Sequence, residues 1–436
     1  MRHESQQIGT SVRVIDGDPV VSSLARLLGI GVLALVGVTW KLWTPQTVFP
    51  QVPLVQVACD CPGWCDWVCL AALVTAATTL LFVGRRGLAS RIASAGIAIS
   101  LSGFFILDQH RLQPWAWQFL LLSILLSLAD NSTVRRGWIW LTISIYFWSA
   151  VSKFDYNFVH DQGPTLVEGF KQAIGVRQTM NRWTESFNVW AAVVLASGEL
   201  SVAILLSLRR TRRFAVWLAV LMHGALLMSL GPLGLKHSWG VLVWNLFFAG
   251  QTWLLFRVVS TPRSEDDAGS RATQPKGLIS RSSNVVATGI ILGAMLWPIL
   301  EPVDGCDHWL AWAVYSARTG QLEILITSDE PPPSGPVECD QVLRTIDGVS
   351  GVYYRPNVSG WSFQELDVPI YPQFRFQVAV GKDLKRRLQL HNVQVVRWRR
   401  NRWNGKPTEE RVVDLSVGNS SGPSIWNTQP RWINRE

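Results

Sequence analysis

Long apolar stretches, separated by short polar segments, dominate the chain as far as Leu300. They fall at residues 20–40, 66–83, 92–108, 115–130, 137–153, 188–208, 213–230, 239–257 and 284–300. Each stretch is near the ~20 residues that an α-helix needs to cross a bilayer. The pattern predicts a polytopic α-helical membrane protein with about nine transmembrane helices.

Basic residues cluster in alternate segments between these stretches. They are Arg85, Arg86 and Arg91, then Arg135 and Arg136, then Arg209, Arg210, Arg212 and Arg213, and finally Arg257, Arg263, Arg271, Lys276 and Arg281. Because basic short loops mark the cytoplasmic side, all four segments are expected there. The N-terminus is then cytoplasmic, and everything after Leu300 is extracytoplasmic, in a cell (inner) membrane.

This topology divides the chain into five parts. Residues 1–19 form a cytoplasmic segment, residues 20–258 a bundle of eight spans, and residues 259–283 a cytoplasmic linker rich in Ser, Arg and Asp. The ninth helix follows at residues 284–300. The lipid bilayer is therefore the first expected partner.

Beyond the last apolar stretch the pattern changes to that of a small extracytoplasmic α+β domain, residues 303–436. Alternation predicts strands at Trp309–Tyr315 and Gln321–Thr327, and helical spacing predicts a helix at Phe374–Leu390. Strands at Val393–Trp398 and Arg411–Val417 flank Asn404-Gly405, which is typical of a hairpin turn. The tail from Gly418 is expected to be loose.

Composition supports the membrane assignment and argues against nucleic-acid binding. The chain is 48% hydrophobic and 16% charged, and its 23 tryptophans suit aromatic belts at two membrane interfaces. The net charge of +9 lies almost wholly in the membrane part, since acidic and basic residues nearly balance after Pro302. Arginines that orient helices explain this excess without a nucleic-acid partner.

Five of the six cysteines fall on the expected outer side: Cys59, Cys61, Cys65, Cys306 and Cys339. An oxidising compartment favours disulfides, so Cys306 with Cys339 and two of the three loop cysteines are candidate pairs of unresolved connectivity. The alternative is a redox site in C-D-C-P-G-W-C. Its spacing matches neither Cys-x-x-Cys nor a zinc pattern, which favours a structural bridge, and no metal site is predicted.

Polar residues inside the apolar stretches are the candidate functional groups. Glu199 lies near the middle of the sixth stretch and His223 near the middle of the seventh, at similar depth. Ionisable side chains at such depth mark functional sites, although a Glu–His hydrogen bond that joins two helices would also explain them. Asn245 in the eighth stretch is either interhelical glue or a cavity donor.

The junction after the fifth stretch is Y-F-W-S-A-V-S-K-F-D-Y-N-F, Tyr146 to Phe158. Lys153 and Asp155 lie where the apolar helix meets the interface. Lys153 either extends to the headgroups, as interfacial lysines commonly do, or belongs to a site. Asp155 is placed to pair with it across one turn.

This junction, followed by helices with S-G-E-L-S-V-A-I-L-L and L-M-H-G-A-L-L, resembles the vitamin K-dependent gamma-carboxylase and its bacterial relatives, the horizontally transferred transmembrane domain family. The resemblance covers residues 138–256. It implies that Lys153 is the base that starts a reaction with reduced vitamin K and oxygen. We add the inference that His223 supplies or orients a proton, while Glu199 holds its tautomer.

The first functional hypothesis is therefore an enzyme that uses a lipid-soluble reductant, such as a reduced quinone. Lys153, His223 and Glu199 are the catalytic candidates, and Asp155 and Asn245 are the cofactor-binding candidates. The second is a non-catalytic assembly partner whose outer domain binds another envelope protein. A weaker resemblance to DoxX and MauE proteins would favour redox chemistry at the first loop, and a transporter is a further alternative.

Overall fold

The computed structural model describes residues 18–176, 182–257, 278–315, 321–333, 335–346, 348–415 and 426–431. Helices dominate the described residues as far as Leu296. They are α1 Pro19–Val38, α2 Trp40–Trp43, α3 Trp64–Val83, α4 Gly87–Leu107, α5 Pro114–Leu128, α6 Asn131–Lys153, α7 Gly163–Ala173, α8 Arg182–Ser207, α9 Arg212–Leu230, α10 Trp239–Arg257 and α11 Leu278–Leu296.

All nine predicted stretches contain a helix, but not all of these helices have the length and composition of a membrane span. Within the described ranges, seven helices do: α1, α3, α4 and α8 to α11. The other two are α5, with 15 residues, and α6, whose 23 residues include Arg135, Arg136 and Lys153. The structure therefore shows a mostly helical protein with seven candidate spans, and the count of nine stays a prediction.

Helix boundaries follow side-chain caps. Asp18 caps α1 by accepting from the Val20 amide at 3.0 Å, with Pro19 in the first turn, where it needs no amide partner. Asp130 accepts from the Thr133 amide at 2.9 Å, so α6 begins six residues earlier than the predicted start at 137. The helix α11 already begins at Leu278, so residues 278–283 belong to it and not to the linker.

The two ends of the helical bundle are defined by different contacts. At one end, here called the arginine end, Arg85 donates to Asn131 Oδ1 at 3.2 Å and Arg135 lies 3.8 Å from Asp18. At the other, here called the domain end, the loops after α1, α4, α6 and α9 contact the C-terminal domain. The predicted grouping of the Arg85 and Arg135 loops at one end is therefore seen.

The C-terminal domain is built on a five-stranded antiparallel sheet of order β2-β3-β1-β4-β5. The strands are β1 Gln321–Thr327, β2 Cys339–Ile346, β3 Val349–Pro356, β4 Asn392–Arg400 and β5 Pro407–Asp414; α12 Val358–Leu366 and α13 Phe374–Arg387 connect β3 to β4. The predicted strand at Trp309–Tyr315 is wrong. Those residues form turns, because Trp312 and Tyr315 have positive φ angles.

The predicted hairpin around Asn404-Gly405 is confirmed, and its tip reaches the end of α6. Gly405 has φ +65°, and a Cβ there would lie 2.4 Å from the Tyr156 ring. Only glycine suits both conditions. The Tyr156 amide donates to Arg402 O at 2.6 Å, and Arg402 Nη2 donates to Phe154 O at 3.0 Å, so the sheet holds the chain just after Lys153.

Residues 426–431, here called the strap, pack against the first loop, although a loose tail was predicted from Gly418. Residues 416–425 lie outside the described residues. Gln51 and Arg431 form an antiparallel bridge, and Arg431 Nη1 lies 2.8 Å from Asp66 Oδ2. Asp66 Oδ1 also meets Arg111 Nη1 at 2.5 Å, with both side chains fully buried. The strap thus completes a buried Arg–Asp–Arg cluster at the domain end.

All six cysteines, each within the described residues, are free thiols. The predicted Cys306–Cys339 disulfide is not formed, because Cys306 Sγ donates to Trp297 O at 3.4 Å and Cys339 Sγ to Val337 O at 3.9 Å. Burial raises the pKa of the Cys306 thiol to about 12. No bridge joins Cys59, Cys61 and Cys65; Cys59 instead accepts from Asn427 of the strap at 3.3 Å.

Candidate functional site

A cavity opens between α6, α8, α9 and α10, toward the domain end of the bundle. Its empty space, including the mouth, is ≈ 740 Å³. Most of the wall is apolar, and its polar lining consists of Tyr146, Ser149, Lys153, Glu199, His223, Trp244, Asn245 and Tyr315. The structure therefore brings together four of the five residues that the sequence suggested as catalytic or cofactor-binding.

Lys153 and Glu199 form an ion pair in this cavity. Lys153 Nζ lies 2.7 Å from Glu199 Oε2, and the two side chains are 9% and 15% exposed. The same Nζ donates to Ser149 Oγ at 2.6 Å and to Ser149 O at 3.2 Å. Lys153 thus turns inward to helix α8, which favours the second of the two predicted alternatives, a residue that belongs to a site.

His223 belongs to a second polar group, which includes Tyr146. Tyr146 precedes Lys153 by seven residues, so their backbone positions lie about 10 Å apart along α6. Asn245 Nδ2 donates to Val241 O at 2.9 Å, which turns its oxygen toward His223 Nδ1, 2.9 Å away. Nδ1 then carries the proton, and Nε2 accepts from the Tyr146 hydroxyl at 2.9 Å. This neutral imidazole orients Tyr146.

The predicted partnership between Glu199 and His223 is therefore wrong. The tautomer of His223 is held by Asn245, and Glu199 pairs with Lys153. Asn245 joins α10 to α9 and lines the cavity, and its Nδ2 donates to Val241 O, so the predicted role of cavity donor stays a prediction. The physical reason for the error is rotation about the helix axes, which position along a helix does not reveal.

Asp155 faces away from Lys153, contrary to the predicted pairing. It accepts from the Asn157 amide at 2.9 Å and lines a separate polar pocket with His308, Arg399 and Arg402. Its proposed role beside Asn245 in cofactor binding is not supported by this placement. The turn at Phe154 sends two neighbouring charges into two different sites.

Tyr146, Ser149 and Thr252 contribute to the site but were not predicted as site residues. Tyr146, Ser149 and Lys153 are spaced i, i+3 and i+7, which places them on one face of α6. That polar stripe was a readable signal within an apolar helix. Thr252 Oγ1 lies 3.2 Å from the Tyr146 hydroxyl, and its own hydroxyl donates to Phe248 O at 2.8 Å.

The arrangement offers donors and acceptors at two levels of a mainly apolar chamber. Nearer the domain end lie the Lys153 ammonium and the Glu199 carboxylate. Deeper in the bundle lies the Tyr146 phenol, which is hydrogen-bonded to the His223 imidazole. Such a chamber suits a molecule with a large apolar body and a few oxygen atoms. Comparison of the chain with models of known protein families, with characterised proteins and with solved structures found no match.

Proposed function

We propose that the chain is an integral membrane protein whose cavity binds a lipid-soluble molecule of quinone type and exchanges protons with it. Large apolar side chains on the outer helix surfaces support the membrane part of the proposal: Phe82, Ile99 and Leu221 are 75%, 71% and 68% exposed. Water would penalise such a surface, whereas lipid would not. The arginine end would face the cytoplasm.

The observation that carries the functional proposal is the Lys153–Glu199 pair inside an apolar wall. The three protons of the Lys153 ammonium go to Glu199 and to two oxygens of Ser149, so a ligand oxygen would replace one of the Ser149 contacts. For Lys153 to act as a base, as the resemblance to the carboxylase implies, its extra proton must first pass to Glu199 Oε2, 2.7 Å away. Glu199 is therefore the proton acceptor in this proposal, and the Tyr146 oxygen, whose own proton goes to His223, is a second hydrogen-bond acceptor.

The experiment is mass spectrometry of small molecules retained by the protein after purification in mild detergent. Wild type is expected to retain a quinone. Lys153→Met should lower the retained amount roughly ten-fold or more, because a hydrogen bond to a charged group contributes about 1.5–3 kcal/mol. His223→Ala should lower it as well, since it removes the side chain that holds the Tyr146 phenol in its orientation.

The matched control is Lys171→Met. Lys171 also pairs with a carboxylate, Glu168, at 3.0 Å, but it does not line the cavity and should leave retention unchanged. Monodisperse elution of every variant from a size-exclusion column would show that the fold is retained. Bulk phospholipid alone in all samples, wild type included, would defeat the proposal.

A second candidate, an assembly partner for another envelope protein, is favoured by one surface. Leu343 of β2 and Val349 and Val352 of β3 are 69%, 68% and 53% exposed. They lie on the hairpin at the edge of the sheet, where a partner strand or apolar face can add. Crosslinking in membranes that is lost in Leu343→Glu, with retained quinone unchanged, would support this role.

A further inference from the structure

The C-terminal domain forms part of the cavity wall at the domain end of the bundle. Val314 and Tyr315, from the turns that precede β1, line it. Tyr315 packs edge-on against His237 of the α9–α10 loop, with ring centroids 5.8 Å apart, and His237 contacts Phe363 of α12 with centroids 5.4 Å apart. The site is thus assembled from both parts of the chain.

The backbone that delivers Tyr315 is strained. Trp312 and Tyr315 adopt φ angles of +61° and +60°, in the left-handed region that bulky side chains rarely enter. Strain of this kind concentrates at binding and catalytic sites. Glycine and asparagine enter this region most readily, but neither Trp312 nor Tyr315 is of these types. Residue type therefore does not explain the positive φ angles.

The hydroxyl of Tyr315 is buried, and no residue of the described ranges forms a hydrogen bond with it. Burial raises the pKa of this phenol, so it keeps its proton and remains a donor. A buried hydroxyl without a partner destabilises the ligand-free protein. Because the ring lines the cavity, a ligand oxygen is the partner that this donor lacks.

We infer that Tyr315 is a ligand-binding residue, whose hydroxyl donates to an oxygen of the lipid-soluble molecule at the cavity mouth. This inference rests on the proposed function and narrows its ligand. The molecule carries one oxygen for Tyr315 and another for the Lys153–Glu199 pair, as a ring with two carbonyl or hydroxyl groups does. Its apolar body contacts the wall between them.

The test uses the full-length protein in detergent, with menadione as the probe and tryptophan fluorescence as the readout. Tyr315→Phe should weaken menadione binding roughly three- to ten-fold, as expected for one lost hydrogen bond. The same substitution should leave the Tm of the ligand-free protein unchanged or higher, since it removes only an unpaired polar atom. Tyr354→Phe, on β3 and outside the cavity, should change neither quantity.

The two proposals fail in different ways. Wild-type affinity in Tyr315→Phe, with binding still lost in Lys153→Met, overturns the inference about Tyr315 and leaves the proposed function standing. A lower Tm of ligand-free Tyr315→Phe also overturns it, because the hydroxyl would then have a structural partner. Wild type that neither binds menadione nor retains a quinone overturns both.

Discussion

Lys153 and Glu199 hold opposite charges in a mainly apolar wall. Moving either charge out of water costs several kcal/mol, which the other repays only while the contact persists. Ser149 supplies Lys153 with two further acceptors, its hydroxyl and its carbonyl oxygen. The two charges thus stabilise each other, and removal of either side chain leaves the other charge buried without a counter-ion.

Glu199→Gln should therefore destabilise the protein by on the order of 3 kcal/mol, because it leaves the Lys153 ammonium buried without a counter-ion. The measurement is thermal or denaturant unfolding in detergent. Asp340→Asn is the control: Asp340 pairs with Arg355 at 3.6 Å and is 66% exposed, so its loss should cost less than about 1 kcal/mol.

The double variant Lys153→Met, Glu199→Gln removes the stranded charge and should recover most of the lost stability. An additive double variant, as unstable as the sum of the two single changes, would show that the pair is not coupled.

For individual residues, the sequence identified which side chains belong to the site but not which of them pair with one another. Ionisable residues within apolar stretches identified Lys153, Glu199 and His223, because burial in such a stretch is expensive. Their partners depend on how each helix is rotated, and α8, α9 and α10, which carry Glu199, His223 and Asn245, show a weaker hydrophobic asymmetry than α6. Tyr146 therefore went unnoticed beside His223, although it lies in the quoted junction.

The strap is the element that binds the end of the described chain to its first loop. Arg431 donates from Nε to Cys61 O at 2.8 Å and from Nη2 to Pro62 O at 2.7 Å. With Asp66 this satisfies three of its donors in a fully buried position. The six residues of the strap thus fix a loop that otherwise has little regular structure.

Arg431→Met should lower the free energy of unfolding by on the order of 3 kcal/mol, because the backbone carbonyls and Asp66 lose their buried donors. Arg136→Met is the matched control, since Arg136 is exposed and donates only to Ser132 O within α6. Equal melting temperatures of the two variants would contradict the structural role of the strap.

Elements were predictable where one face is buried and the other is not. The helix at 374–387 shows that periodicity, whereas β1, which was also predicted, is buried on both faces at Ile324, Leu325 and Ile326. The hairpin β2–β3 was missed because exposed and half-buried residues alternate irregularly along it. The turns at 309–315 were mistaken for a strand because their apolar residues pack in a non-extended backbone.

The bundle and the C-terminal domain share one hydrophobic core. His110, between α4 and α5, is packed between Phe49 of the first loop and Phe376 of α13, with centroids 5.3 Å and 5.2 Å away. Its Nε2 donates to Pro369 O at 3.0 Å. Deletion of the domain would therefore damage the bundle, so such a deletion does not separate a binding module from an enzyme.

Burial lowers the pKa of His110 to about 4, from an ordinary 6.5. As the pH falls, His110 of the unfolded chain binds a proton near pH 6.5, whereas His110 of the folded protein binds one only near pH 4. Protonation therefore stabilises the unfolded state between these values, and the free energy of unfolding falls as the pH falls through this window. The loss reaches about 3 kcal/mol at 1.36 kcal/mol per pH unit. His110→Gln, which keeps a donor for Pro369, should show a smaller loss of stability between pH 7 and 5.

Two neighbouring groups set the background of that measurement. Burial lowers the pKa of His237 to about 4, which adds to the acid sensitivity. Burial raises the pKa of Asp108 to about 6, so the folded state binds this proton first and gains stability as the pH falls from 6 toward 4. An identical pH dependence in wild type and His110→Gln would assign the effect to His237 instead.

Contacts between distant parts of the chain were not predictable, since a single sequence carries no signal that pairs His110 with Pro369 or Gln51 with Arg431. The predicted outer domain suggested a detached module. The structure instead shows an interface with one continuous core.

The bridge between Gln51 and Arg431 also determines when the first loop can finish folding during synthesis of the chain. A nascent chain emerges from its N-terminus, so the first loop and Asp66 are made long before their partner arginine exists. Until Arg431 has left the ribosome, that carboxylate contacts Arg111 and Gln51 but lacks its second arginine, and the loop lacks its final backbone contacts. A truncated or stalled product is thus expected to display an unfinished first loop.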